Sequence, residues 1–145
     1  MLAGEAKALH TTKRSSGVDV SDPSLADAWA RVRQDSEDHT NWCAFAHAQG
    51  SNNVMALLGS GTGGLPELCS ALNESTVAYC AVRIEGAEGG GTGRFHRILF
   101  VGEEVGGMKR GRAALQKNAV FAVLEGASGG DHEFGSVGDL AAAAF

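Results

Sequence analysis

The sequence lacks several features that would assign the protein to a membrane or secreted class. No apolar run approaches the roughly 18 residues that a membrane-crossing helix needs. The first residues also lack the apolar core of about 7–15 residues that marks a secretory signal, so we expect a cytoplasmic protein. The three cysteines, Cys43, Cys69 and Cys80, include no Cys-x-x-Cys pair and have apolar neighbours. They therefore predict three buried thiols in a reducing compartment.

The length and charge of the chain indicate one ordinary globular domain. The chain has 145 residues, of which 43% are hydrophobic, and its formal net charge is -5. Residues 1–17 show no apolar period and predict a disordered leader, so the domain is expected to span residues 18–145. The acidic balance argues against a nucleic-acid partner, because duplex binding usually requires a broad basic face.

The spacing of apolar residues, together with turn signals, predicts nine helices and strands in the order α-β-β-α-β-β-α-β-α. This order favours a single mixed α/β domain with a central mixed sheet of five to six strands flanked by helices. The first predicted helix is capped by Ser21 or Asp22 and ends near Gln34, and its apolar stripe comprises Leu25, Ala28, Trp29 and Val32. The other predicted elements are strands over 42–48 and 53–58 that form a hairpin, a helix over 65–72, strands over 76–84 and 94–101, a helix over 107–124, an edge strand over 132–134 and helical turns over 139–145. The strand over 76–84 has almost no polar side chain and is expected in the middle of the sheet. In the long helix, the C-terminal half is expected to be buried through Leu115, Ala119 and Ala122, with Val120, Val123 and Leu124 widening this face.

A glycine-rich loop predicted over Gly59–Gly64 raises the alternative of a nucleotide-dependent enzyme. Its residues fit G-x-G-x-x-G after a strand and before a helix, and Glu85 follows at about the spacing of a ribose-binding acid. With 21 glycines in the chain, however, such a match arises easily by chance. The flanking strands belong to hairpins and not to βαβ units. We therefore expect no nucleotide and no other cofactor.

The remaining polar groups do not form a recognisable catalytic or metal-binding pattern. The five histidines are scattered without ligand spacing and are expected at the surface or on edge strands. Ser36, Asp38 and His39 fit a polar turn better than a hydrolase site. Glu103 and Glu104 are adjacent and point in different directions. The sequence predicts no metal site and no catalytic residue, and hence a protein that is not an enzyme.

Positive charge is concentrated between residues 93 and 117, although the chain is acidic. The long helix carries Lys109, Arg110, Arg112 and Lys117, and no acid occurs from Val105 to Leu124. The preceding strand adds Arg94 and Arg97, and we expect Arg97 to lie off the face that carries Phe95 and Leu99. Uncompensated like charges repel, so a surface of this kind favours an acidic protein partner. The six cations form the predicted binding corner.

Several sequence blocks resemble the actin-depolymerising-factor homology domain, and within it the coactosin branch. Ala28–Asp35 resembles the first helix of coactosins, and Trp42–Phe45 matches the Trp-x-x-Phe strand of the family. Tyr79–Ile84 is similar to its central strand. Arg94–Arg110 is similar to the family's basic strand, Gly-Glu-x-Val turn and helix start. These blocks stand in one register over nearly the whole of residues 20–145.

The resemblance implies a non-enzymatic, monomeric protein that binds the side of filamentous actin and competes with cofilin. Arg94 stands where coactosins place a filament-binding Lys, and the first turns of the long helix supply further contacts. A cofilin-like role, with binding of monomeric actin or filament severing, stays open, as does contact with phosphoinositides. Two departures concern Arg97, at a position usually apolar in the family, and the tail Gly138–Phe145, which lacks the charged residues of the last coactosin helix.

Overall fold

A computed structural model describes residues 17–34, 39–85 and 94–145. The predicted leader, except Gly17, lies outside these ranges, as do Ser36 and Asp38 of the polar turn and most of the glycine-rich loop before Arg94. The elements are α1 (Pro23–Arg33), β1 (Trp42–His47), β2 (Met55–Gly61), α2 (Gly64–Ser70), β3 (Val77–Ile84), β4 (Arg94–Val101), α3 (Gly107–Phe121), β5 (Gly130–Phe134) and α4 (Val137–Ala141). The predicted order is confirmed. No helix within the described ranges is long and apolar enough to cross a membrane.

Helix α1 begins with a capping interaction that its sequence predicts. The Asp22 carboxylate accepts a hydrogen bond from the Ser24 backbone N–H at 2.9 Å, and Pro23 occupies the first helical position. Pro is favoured there because its missing N–H would have no helical partner. The buried face comprises the predicted apolar stripe of Leu25, Ala28, Trp29 and Val32.

The five strands of the described chain form one mixed sheet in the order β2-β1-β3-β4-β5. The β1–β2 hairpin and the central position of β3 are both confirmed. Neighbouring strands are antiparallel except β4 and β5, which are parallel and are connected through α3. A parallel neighbour requires such a crossover, so α3 lies across one face of the sheet.

Each face of the sheet is covered by two helices. On one face, α1 and α3 pack against a core that includes Phe45, Tyr79 and Leu99. On the other face, α2 and α4 pack against Ala78, Cys80, Ile98 and Phe100. Successive residues of β4 therefore alternate between the two cores, as the pleat of a strand requires.

The buried face of α3 differs from the predicted one. The buried residues of α3 are Ala113, Gln116, Ala119, Val120 and Phe121. Ala119, Val120 and Leu124 were predicted correctly, but Leu115 and Ala122 are exposed. The reason is that the contact with the sheet centres on Ala113, Gln116 and Val120, at i, i+3 and i+7. Leu115 lies on the far side of this helix.

The prediction of three buried thiols is confirmed. Cys43, Cys69 and Cys80 are buried and form no disulfide. Burial raises the pKa of Cys43 to about 12, against a smaller opposing effect of a backbone hydrogen bond with Ala81. The thiol of Cys43 is therefore held in its neutral and unreactive form.

Candidate functional site

Two large apolar side chains of α3 are exposed to solvent. Met108 is 81% exposed and Leu115 is 69% exposed. They are seven residues apart, and Arg112 lies between them, so the three side chains fall within about 60° around the helix axis. We call Met108, Arg112 and Leu115 the α3 stripe. Its two apolar ends with a central cation are the composition expected at the centre of a protein interface.

Three of the six predicted binding cations have no partner within the described part of the chain. Lys109 and Arg94 are exposed and Arg112 is half-buried. None of the three forms an ion pair or hydrogen bond with a described residue. A cation in this state is available to an acidic partner without first losing an internal contact.

Arg110 is used within the chain to hold the turn that precedes α3. Its Nε donates to the Val105 carbonyl at 2.9 Å, and its Nη2 donates to the carbonyls of Gly102 and Glu103 at 2.9 and 3.4 Å. These bonds lie within one short segment and orient its carbonyl groups toward the helix. Arg110 therefore fixes the direction in which α3 leaves the sheet.

The same turn is held from the other side by Glu74. The Glu74 carboxylate accepts hydrogen bonds from the backbone N–H groups of Glu103, at 3.1 Å, and Val137, at 3.0 Å. The Glu104 N–H also donates to the Glu74 carbonyl at 2.8 Å. Glu103 and Glu104 thus belong to a turn whose backbone is anchored, and no paired-carboxylate site forms there.

Arg97 is neutralised by an acid from β5, contrary to the expectation of uncompensated charge. Its guanidinium donates to both carboxylate oxygens of Asp131, at 2.6 and 2.9 Å, and to the Phe121 carbonyl at 2.9 Å. The expected placement of Arg97 was also wrong. Residues two apart on a strand share a face, so Arg97 lies with Phe95 and Leu99, beneath α3.

Lys117 is likewise paired with β5. Its Nζ lies 3.0 Å from a carboxylate oxygen of Glu133 and 6.0 Å from the centre of the Phe121 ring. Asp131 and Glu133 are the β5 residues on the α3 side of the sheet. Glu133 therefore supplies negative charge to α3, which has no acid in its own sequence, and Asp131 supplies it to β4.

The six cations do not form a single corner. Arg94 begins β4, whereas Lys109 and Arg112 belong to the first turns of α3, which follow the opposite end of β4. The strand between them has eight residues and places the two groups on the order of 20 Å apart. Arg94 also lies on the α2–α4 side of the sheet, near His96, where its charge contributes to lowering the pKa of that imidazole.

The glycine-rich segment Gly59–Gly64 is partly strand, although the whole of it was predicted to be a loop, and its geometry does not favour the nucleotide-binding alternative. Gly59 and Gly61 lie within β2, and the ring of Trp42 lies against both glycines. The Trp42 indole N–H donates to Glu67 Oε1 at 2.7 Å, and the Gly63 N–H donates to the same oxygen at 2.9 Å. These two hydrogen bonds lower the pKa of Glu67. Gly59 and Gly61 leave space for the Trp42 ring. The Gly63 N–H, which a phosphate would need as a donor, is already hydrogen-bonded to Glu67.

Two histidines meet in a partly buried cluster, so the expectation of surface histidines fails for His96. His96 is 5% exposed, and its Nδ1 lies 3.0 Å from Nε2 of His132 on the neighbouring strand. The Phe145 ring packs against both imidazoles. Within the described ranges, no three His, Cys, Asp or Glu side chains are arranged to hold a metal ion.

The α3 stripe and the buried polar residue Gln116 were not identified from the sequence. The helical period of the sequence could have identified them. A buried face through Ala113, Gln116 and Val120 leaves Met108 and Leu115 on the opposite side of the helix. The short apolar clusters in the second half of α3 obscured this signal.

Comparison with known proteins identifies relatives of both the sequence and the fold. Residues 17–145 match the family model described as cofilin/tropomyosin-type actin-binding protein. The chain is 36% identical to coactosin from Dictyostelium discoideum over 110 aligned residues, and this alignment covers 74% of this chain and 73% of that protein. Coactosin from Entamoeba histolytica superposes with a TM-score of 0.74 at 27% identity, covering 86% of this chain and 88% of the other. Human coactosin-like protein has the same fold, with a TM-score of 0.73, 18% identity and coverages of 85% and 90%.

Proposed function

Because the chain belongs to the cofilin/tropomyosin-type actin-binding family, we propose that it binds the side of actin filaments through the α3 stripe and Lys109. The observation that carries the proposal is the exposure of Met108 and Leu115 on either side of a cation that has no partner within the described chain. The resemblance to coactosins supports filaments as the form of actin that is bound.

The α3 stripe and Lys109 contribute to binding in two different ways. Met108 and Leu115 lose contact with water when actin covers them, which provides the non-directional part of the binding free energy. Lys109 and Arg112 attract the acidic filament and orient the encounter, and this contribution weakens as salt screens the charges. Because Arg110 and Glu74 hold the start of α3, little ordering entropy is lost on binding.

Arg94 is proposed as a separate contact with the filament. It occupies the position at which the coactosin resemblance implies a filament-binding Lys. Since it lies on the order of 20 Å along β4 from the start of α3, it would meet a different part of the filament surface from the α3 stripe. An Arg in place of Lys keeps the charge and adds a bidentate fork for carboxylates.

The protein is further proposed to act by binding alone, in the cytoplasm, and to compete with cofilin for the filament. The support for competition is membership of the same actin-binding family, together with the resemblance, which implies that the long helix contacts actin. The support for a non-enzymatic role is that the glycine-rich segment is occupied by Trp42 and Glu67.

Co-sedimentation with actin filaments tests the proposal. Wild-type protein is expected to pellet with filaments at low salt and to be released as salt rises. The variant Arg94→Gln/Arg112→Gln should pellet less, with a melting temperature close to that of the wild type. The matched control Ala26→Glu/Ala71→Glu changes the net charge by the same amount at exposed positions away from α3 and should pellet normally.

Three outcomes would contradict the proposal. If wild-type protein stays in the supernatant at low salt, filament binding is excluded. If actin itself moves to the supernatant, a severing or monomer-binding role replaces side binding. A clear rise in melting temperature with NAD, ATP or GTP would indicate a nucleotide site and a different function.

A further inference from the structure

A cavity of mixed polar and apolar lining lies beside the α3 stripe, between the turn that joins β1 to β2 and the first half of α3. Its volume is about 270 Å³. The polar side chains that line it include His47, Ser51, Asn52, Ser75, Lys109 and Arg112. No Asp or Glu lines this cavity, although acids outnumber Lys and Arg in the chain as a whole, 17 to 12. Both charged side chains that line the cavity, Lys109 and Arg112, are therefore positive. The Glu104 carboxylate lies behind this lining, where it accepts a hydrogen bond from the Ser75 hydroxyl at 3.1 Å.

The wall of the cavity opposite α3 is held in place by a buried polar side chain. Gln116 is 3% exposed, and its Oε1 lies 2.8 Å from Nε2 of His47. Its Nε2 donates to the Asn52 carbonyl at 3.3 Å. A buried amide of this kind is stable only when its hydrogen bonds are satisfied. Gln116 thus fastens both the end of β1 and the following turn to α3.

The turn itself is ordered by local hydrogen bonds. The Ser51 hydroxyl oxygen accepts from the N–H of Val54 at 2.9 Å and from the N–H of Asn53 at 3.2 Å. Gly50 has a φ of 78°, in the left-handed region that glycine adopts without strain. The cavity is thus bounded by an ordered turn on one side and by a helix on the other.

The two cations of the cavity come from one side of α3. Lys109 and Arg112 are three residues apart and so are neighbours on the helix. The described chain provides no carboxylate for either, in contrast to Arg97 and Lys117, which are paired with β5. Two adjacent cations of like charge repel, and an anion placed between them removes that repulsion.

We propose that this cavity receives a carboxylate side chain of actin, so that the turn Gln49–Asn52 forms a second part of the filament interface. The inference rests on the proposed function, and it adds a partner group and a segment that the α3 stripe does not include. A carboxylate suits the cavity because Arg112 offers it a planar pair of donors and Lys109 a second charge. The cavity lies next to the α3 stripe, so one docked surface covers both.

Isosteric changes in the turn test the proposal without altering either cation. Gln49→Glu and Asn52→Asp each add a carboxylate to the wall of the cavity with almost no change in size. Each should neutralise the site from within and weaken filament binding by about tenfold, as expected when a charged interface pair is lost. The matched control is Gln34→Glu, the same kind of change at the C-terminal end of α1. It should bind filaments as the wild type does.

The readouts are co-sedimentation with filaments and the melting temperature of each variant. Weakened binding by both turn variants, with wild-type melting temperatures and normal binding by Gln34→Glu, supports the proposal. If wild-type protein binds filaments and both turn variants bind equally well, the cavity inference is wrong while the proposed function stands. If wild-type protein does not bind filaments, the proposed function itself fails.

A vesicle assay distinguishes the cavity from a site for anionic lipid. Wild type and Asn52→Asp are each sedimented with vesicles of phosphatidylcholine containing a phosphoinositide. If Asn52→Asp loses vesicle binding but retains filament binding, the cavity takes a lipid phosphate and the proposal is overturned. Loss of filament binding with no effect on vesicles supports the actin carboxylate.

Discussion

Arg97 and Asp131 form a two-bond ion pair between neighbouring parallel strands, with N–O distances of 2.6 and 2.9 Å. A third bond joins the Arg97 guanidinium to the Phe121 carbonyl at the end of α3. The one side chain therefore connects β4, β5 and the helix that links them. This is a structural role, because all three guanidinium nitrogens of Arg97 donate to groups within the chain.

We expect Arg97→Gln and Asp131→Asn each to lower the free energy of unfolding by about 1–2 kcal/mol, because the pair is bidentate but partly exposed. The double variant should lose less than the sum of the two, since each change removes the same contact. Filament binding should be unaffected. Urea unfolding and co-sedimentation measure both effects. Additive losses of stability, or loss of filament binding by Arg97→Gln alone, would contradict the structural role.

Substitutions in the α3 stripe are predicted to weaken filament binding without lowering the stability of the protein. Leu115→Ser and Met108→Ser should each weaken filament binding by about tenfold, as truncation of an apolar interface anchor does. Their melting temperatures should change little, since both side chains are exposed in the free protein. Leu58→Ser is the control, because Leu58 is also an exposed leucine but lies on β2. Equal effects of Leu58→Ser and Leu115→Ser on binding would show that the stripe is not the contact.

Two glycines near the start of α3 should respond in opposite directions to alanine. In Gly102→Ala the new Cβ would lie 2.6 Å from the Glu74 Cα, so the backbone must shift, and we expect a loss of about 1–3 kcal/mol. In Gly111→Ala the new Cβ meets nothing within 4 Å. That variant should gain up to about 1 kcal/mol from helix propensity. Urea unfolding of the two variants compares them directly, and stabilisation by Gly102→Ala would contradict the packing of the turn against Glu74.

The histidine cluster predicts a loss of stability in mild acid. Burial lowers the pKa of His96, and the charges of His132 and Arg94 lower it further by smaller amounts. A backbone hydrogen bond with Gly129 acts in the opposite direction but is weaker than these effects. The unfolded chain then binds a proton more readily than the folded chain. Stability is therefore retained above the ordinary histidine pKa of 6.5 and falls as the pH decreases below it toward the lowered pKa of His96.

Urea unfolding of wild type and His132→Gln between about pH 8 and pH 5 measures this dependence. We expect the wild type to lose stability below about pH 6.5, and we expect a smaller loss in His132→Gln, which removes one of the neighbouring charges. If stability rises as the pH falls through this range, the pKa of His96 is raised and not lowered in the folded protein.

The sequence alone determined the order of the elements and most of their boundaries. Helix α1 was predictable because its cap, its first-turn proline and its apolar period act within a few residues of each other. Strand β4 was predicted with its observed bounds, Arg94–Val101. The central position of β3 followed from its lack of polar side chains. Blocks of residues in one register also identified the family, which the match over residues 17–145 confirms.

Only the tertiary structure decided which cations remain available to a partner. Asp131 and Glu133 neutralise Arg97 and Lys117 because β5 pairs with β4 and lies beside α3, whereas these acids are 16 or more residues away in the chain. The cavity beside Lys109 and Arg112 likewise depends on a turn about 60 residues earlier, which Gln116 fastens to α3. Local pattern sets the helices and strands because their hydrogen bonds and periods are local. The charge balance of a surface depends on contacts between distant segments, and those exist only once the sheet has formed.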